Sequence, residues 1–162
     1  MIDRAVVNAG PLVALSLIGR LDLLPTLFAE CWVPQAVFSE VAVAGIGKPG
    51  AIALQSPEWL ARVRLSPVPD PLLVMQLDVG EAEVISLARQ LSPCFAVIDE
   101  RRGRRIAQEV YGLSVKGTAG VLVEAKRRHL ISDVRPMLLA LREAGYFMAQ
   151  SVIAAACLAA GE

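Results

Sequence analysis

Phe95-Ala96-Val97-Ile98-Asp99-Glu100-Arg101-Arg102 is a short apolar run that stops at two carboxylates and continues into a basic stretch. It reads as a buried strand followed directly by a helix. In an open α/β sheet, ligands bind in the crevice outside the carboxyl ends of the strands. An acid placed where such a strand stops therefore points into the active crevice, and Asp99 is that acid.

The same grammar recurs on both sides of this stretch. Ala5-Val6-Val7 predicts a short strand with Asn8 at its carboxyl end, then a helix opened by Gly10-Pro11, where a missing N–H costs nothing. Leu12, Leu15 and Ile18 form that helix's apolar face, and Gly19 is its cap. A second short helix is expected from about Leu21 to Phe28. Cys31-Trp32-Val33 predicts the next strand, and Pro34 opens a helix carrying Val37, Phe38, Glu40 and Val41. Gly45, Gly47 and Pro49 mark a mobile connection between Val43 and Gly50. A modest helix over 51–55 and an extended piece over 59–65 follow, and Pro67, Pro69 and Pro71 read as a stiff linker. Downstream, helices are predicted from Gly80 to Leu91, Arg101 to Tyr111, Thr118 to Arg128, Val134 to Ala144 and Ala149 to Ala159. Strands near Phe95–Ile98 and Leu113–Val115 alternate with them. Such alternation predicts an α/β fold with a parallel sheet and right-handed crossovers.

Composition narrows the function classes. At 162 residues the chain is expected to be a single domain over 1–162, its C-terminal helices (about 134–160) packing on it or at an oligomer interface. Sixteen basic and sixteen acidic residues cancel, which argues against a protein that coats duplex DNA nonspecifically but leaves room for a local basic strip. Hydrophobic residues reach 55% and the mean hydropathy is +0.53, an apolar excess that suggests a homodimer or higher oligomer. Three scattered cysteines without paired spacing suggest a reducing, cytoplasmic setting and no zinc cage. No segment reaches the ~18 uninterrupted apolar residues of a membrane helix, so no membrane partner is expected.

Three acids and an amide sit where the alternation places a crevice. Asn8 and Asp99 end strands, Glu40 lies just after the second strand, and Glu81 falls inside the apolar stripe of Val84, Ile85, Leu87, Ala88 and Leu91, at ~100° per residue. Glu83, by the same wheel, faces solvent. Clustered carboxylates raise one another's pKa unless cations neutralise them, and magnesium or manganese suits oxygen ligands. Each acid also has a plainer account: Glu81 at a positive helix end, Glu40 on the surface, Asp99 as an N-cap.

Val7-Asn8-Ala9-Gly10-Pro11-Leu12, Val33-Pro34-Gln35-Ala36-Val37-Phe38-Ser39-Glu40, Gly80-Glu81-Ala82-Glu83, Ile98-Asp99-Glu100-Arg101 and Gly117-Thr118-Ala119-Gly120-Val121-Leu122 together resemble the PIN-domain family. The likeness is to the VapC-type branch with a Gly-Glu-Ala-Glu helix start. It implies a three-layer α/β/α sandwich with a short parallel sheet. It also implies a Mg2+- or Mn2+-dependent endoribonuclease that cleaves RNA, commonly the toxin partnered by an antitoxin protein. Carried over, Glu40, Glu81 and Asp99 are catalytic and bind metal, with Asn8 and Glu100 as further ligands. Asn8 departs from the family pattern, which has aspartate there; an amide oxygen can ligate a metal but brings no charge and no base. A PIN-like domain that binds RNA or a protein without turnover is the alternative.

Arg101, Arg102, Arg104 and Arg105 beside Asp99 are candidate guides for RNA phosphates. Lys126-Arg127-Arg128 ends a helix, where cations suit the dipole. His129 is the sole histidine, which excludes a two-histidine nuclease. No serine nucleophile has a matching acid and histidine, and no phosphate-cradling Gly-x-x-x-x-Gly-Lys loop occurs.

Overall fold

The computed structural model describes residues 2–162. Five strands form one sheet: β1 (Arg4–Val7), β2 (Glu30–Pro34), β3 (Val63–Arg64), β4 (Phe95–Val97) and β5 (Ser114–Lys116), in the order β3-β2-β1-β4-β5. Every pairing is parallel. Strands covered on both sides must be apolar throughout, and Ala5, Val6, Val7, Ala96, Val97 and Ile98 are all fully buried.

The first half of the chain contributes helices α1 (Ala9–Leu17), α2 (Leu23–Leu27), α3 (Gln35–Phe38), a π-helical turn (Ser39–Ala44), α4 (Ala51–Leu54) and α5 (Pro57–Leu60). Then come α6 (Pro71–Gln76), α7 (Val79–Gln90), α8 (Arg101–Glu109), α9 (Thr118–Arg127), α10 (Arg135–Glu143) and α11 (Gln150–Ala159). Helix α7 packs across β1, β2 and β4 and against α3, whereas α1 and α2 pack with α9, which reaches β5. The sheet is thus flanked by helices in an α/β/α arrangement. Gly19 ends α1 as expected: at φ +66° it lets Arg20 N–H reach the Leu15 carbonyl at 2.8 Å.

Three local expectations need correction. The helix carrying Glu40 is not regular, since after Phe38 it widens into the π-helical turn, which shifts every following side chain around the axis. Trp59 is not in an extended piece; it lies in α5, where Ser56 Oγ accepts its N–H at 3.4 Å, and its ring is buried. Pro71 does not merely stiffen a linker. It occupies the first turn of α6, where its fixed φ suits a helix start.

The core is continuous from α1 across the sheet to α11. Leu122 of α9 is fully buried in it, whereas Leu158 of α11 is 80% exposed. Leu122→Ala should therefore cost about 2–5 kcal/mol in urea denaturation. Leu158→Ala should stay within about 0.5 kcal/mol of the parent.

Candidate active site

The strand order reverses at β1: the chain runs outward through β2 and β3, then returns to build β4 and β5 on the other flank. That makes the carboxyl edge of β1 and β4 the topological switch point. Val7 pairs with Val97, and Asn8 N–H donates to the Val97 carbonyl at 3.0 Å. Asn8 and Asp99 therefore leave the sheet side by side. Asn8 is 6% exposed and takes the cap position of α1, yet its carboxamide does not cap that helix.

Asp99 is held by three donors. Its Oδ1 accepts Thr118 N–H at 2.7 Å and its Oδ2 accepts the Thr118 hydroxyl at 2.6 Å. The Tyr146 hydroxyl also donates to Oδ2. Asp99 thus caps α9 across the sheet rather than α8, whose cap position is Glu100. Burial and then the Asp99 charge push the Tyr146 phenol well above its ordinary value, so it stays a donor. Two glycines make the room. A Cβ on Gly10 would sit 3.0 Å from the Tyr146 oxygen, and one on Gly117 would sit 2.9 Å from Asp99 Oδ1. Sequence reasoning missed Tyr146, because a contact spanning 47 residues leaves no local signal.

Glu81 points inward, as its helical position predicts, and is 7% exposed. It closes a capping box: its N–H donates to Asp78 Oδ1 at 2.8 Å, and its Oε2 accepts Asp78 N–H at 3.4 Å. Burial, with the charges of Asp78 and Glu100, pushes its carboxyl up to about 7. Gly103 of α8 permits this burial, since a Cβ there would lie 3.0 Å from Glu81 Oε1. Glu40 is exposed and faces Asp78 across Gly80; partial burial and Asp78 raise its pKa. A cleft of about 480 Å³ lies there, lined by Ser39, Glu40, Asp78 and Gly80 among others. Glu100 is exposed. Glu83, expected in solvent, is half-buried, and burial raises its pKa against a hydrogen bond from the Ala36 backbone.

The four arginines of α8 divide. Arg101 and Arg102 are exposed, and Arg102 donates to Gln76 Oε1. Arg104 is half-buried and donates to the Ile98 carbonyl at 2.9 Å, bracing the end of the strand. Arg105 pairs with Glu109 at 3.2 Å on the surface. The second basic run is structural in its contacts: Lys126 pairs with Glu162 at 3.2 Å and Arg128 with Glu124 at 2.9 Å.

The metal-ligating side-chain atoms along this edge are oxygens, and among the described residues no cation pairs with the buried Glu81 carboxyl. That chemistry fits a hard divalent ion. Among the described residues, no three His, Cys, Asp or Glu side chains converge on one point. Glu40, Glu81 and Asp99 are thus not brought to a common point, and an ion here would have at most one or two of them as direct ligands, with waters completing its shell.

Residues 4–162 match the family model DUF3368, described as a PIN domain. No curated protein and no solved structure matches the chain.

The raised Glu81 pKa fixes a pH dependence. The native state holds this proton up to about 7, whereas the unfolded chain releases it near 4.5, so the group's ionisation erodes stability as pH rises across that window. Relative to the parent, Glu81→Gln should gain on the order of 1–3 kcal/mol between pH 5 and pH 8. Urea denaturation at the two pH values measures the difference.

Proposed function

This chain belongs to the PIN-domain family, a nuclease-type fold, and from that premise we propose that it is a Mg2+- or Mn2+-dependent endoribonuclease. The observation that carries the reading is the oxygen-lined edge where Asn8 and Asp99 leave adjacent strands at the switch point, with the buried, uncompensated Glu81 behind them. Asp99 would hold the metal directly, with Glu81, Glu40 and the neutral Asn8 reached through its waters and Glu100 as an accessory acid. Such an ion supplies charge neutralisation at the cleaved phosphodiester and an activated water. The chain's own groups do the rest. Thr118 and Tyr146 fix the Asp99 carboxylate in one orientation. Arg101 and Arg102, exposed at the start of α8, attract the RNA phosphates. Arg104 and Arg105, engaged with Ile98 and Glu109, contribute field rather than direct contact.

A toxin role with an antitoxin protein, and assembly as a dimer or higher oligomer, belong to the same reading. What supports a protein partner is the apolar side of α6 and its flanks, where Val68, Val74, Met75 and Val79 are exposed. Three free, buried cysteines accord with a reducing cytoplasm. No described helix is long and apolar enough to cross a membrane.

One observation favours a second reading, RNA or protein binding without turnover: Asn8 removes a charge from the edge, and three donors already occupy the Asp99 oxygens. Cleavage of single-stranded RNA in Mn2+ separates the two. The nuclease reading expects Asp99→Asn to lower the rate at least ~100-fold and Asn8→Asp to raise it at limiting Mn2+. RNA binding with no cleavage, insensitive to Asp99→Asn, would overturn it in favour of the second.

A further inference from the structure

We propose that Tyr146 is a removable cap on Asp99, whose hydroxyl must leave Oδ2 before that carboxylate can ligate a divalent ion. This rests on the metal-dependent reading above and adds the residue that controls access to its anchor.

An ionised carboxylate offers about four lone pairs. On Asp99 the Thr118 and Tyr146 hydroxyls take the two of Oδ2, and Thr118 N–H takes one of Oδ1. The remaining pair on Oδ1 is guarded by a cation. A Cβ placed on Gly117 would lie 2.9 Å from Oδ1 and 2.8 Å from Arg104 Nη1, so the guanidinium and that oxygen border the same small space. Like charges repel, which disfavours a second cation there. Asp99 therefore becomes a direct ligand only when one hydroxyl lets go.

The two hydroxyls are not held alike. Thr118 is fully buried in the first turn of α9, and its own N–H grips the same carboxylate. Tyr146 is half-buried and opens the irregular connection between α10 and α11. Its main chain is fixed: its N–H donates to the Leu141 carbonyl at 3.0 Å, and Met148 is buried in the core. The ring alone has to move, by rotation about its own side-chain bonds. Tyr146 is thus the donor that yields, and Thr118 the one that stays.

The test uses the full chain, with Mn2+ affinity read by titration calorimetry and stability by urea in EDTA and in saturating Mn2+. Tyr146→Phe keeps the ring and removes the hydroxyl, so nothing has to leave that side of Oδ2. It should bind Mn2+ roughly 10- to 100-fold more tightly than the parent. It should also unfold at lower urea in EDTA, and that deficit should shrink in Mn2+, because the lost hydrogen bond belongs to the ion-free state. In the parent, Mg2+ should perturb the near-ultraviolet absorption of tyrosine, and this change should be missing from Tyr146→Phe. Unchanged or weaker Mn2+ affinity in Tyr146→Phe would overturn the cap and leave the nuclease reading standing, with Tyr146 only orienting Asp99. A parent that binds Mg2+ with no tyrosine signal would do the same. Mn2+ bound by neither chain would overturn this proposal together with the nuclease reading.

Discussion

The parallel pairing of β1 with β4 is the constraint on which the molecule turns. Both strands are covered on their two faces, so their interiors admit only apolar side chains. Polar chemistry is thereby driven to the strand ends, and because every strand runs the same way, one edge of the sheet collects all the carboxyl ends. The reversal of strand order at β1 then sets Asn8 and Asp99 side by side at that edge. Fold and candidate site share a single cause.

Gathering acids along one edge raises their mutual repulsion, and the chain relieves it in three ways. Asp99 accepts three hydrogen bonds, one of them from the N–H of Thr118 in the first turn of α9. Glu81, buried beside Asp78 and Glu100, yields instead by holding a proton up to about 7. Glu40, Asp78 and Glu100 remain exposed, where water screens them. The division follows depth: donors and protonation serve the inner groups, solvent the outer ones.

That division also explains what the sequence disclosed and what it withheld. Strands were legible because buried parallel strands are unbroken apolar runs. Helix α7 was legible because its stripe keeps a period near 3.6. The inward aim of Glu81 followed from the same wheel. Glu83 did not follow, since α3 packs on α7 and covers part of the face that the wheel assigns to solvent. The π-helical turn at Glu40 escaped because one extra residue per turn leaves no compositional mark, and α6 escaped because three alternate prolines mimic a linker. Tyr146 lay furthest out of reach. Its partner is fixed by how α10 and its following turn pack, and no periodicity within the chain encodes that.

Asn8 gains meaning in this setting. A carboxylate there would be 94% buried at the mouth of the same crevice, beside Asp99 and with no donor like Thr118 to hold it. An unpaired buried charge costs several kcal/mol, whereas a buried amide costs far less. Without a bound cation, asparagine therefore favours the folded state, and with one it forgoes part of the attraction an aspartate would provide. The residue thus shifts the balance from metal affinity towards stability of the ion-free fold. It makes the charge of Asp99, already ordered by Thr118 and Tyr146, the principal electrostatic anchor for any cation entering between the two strands.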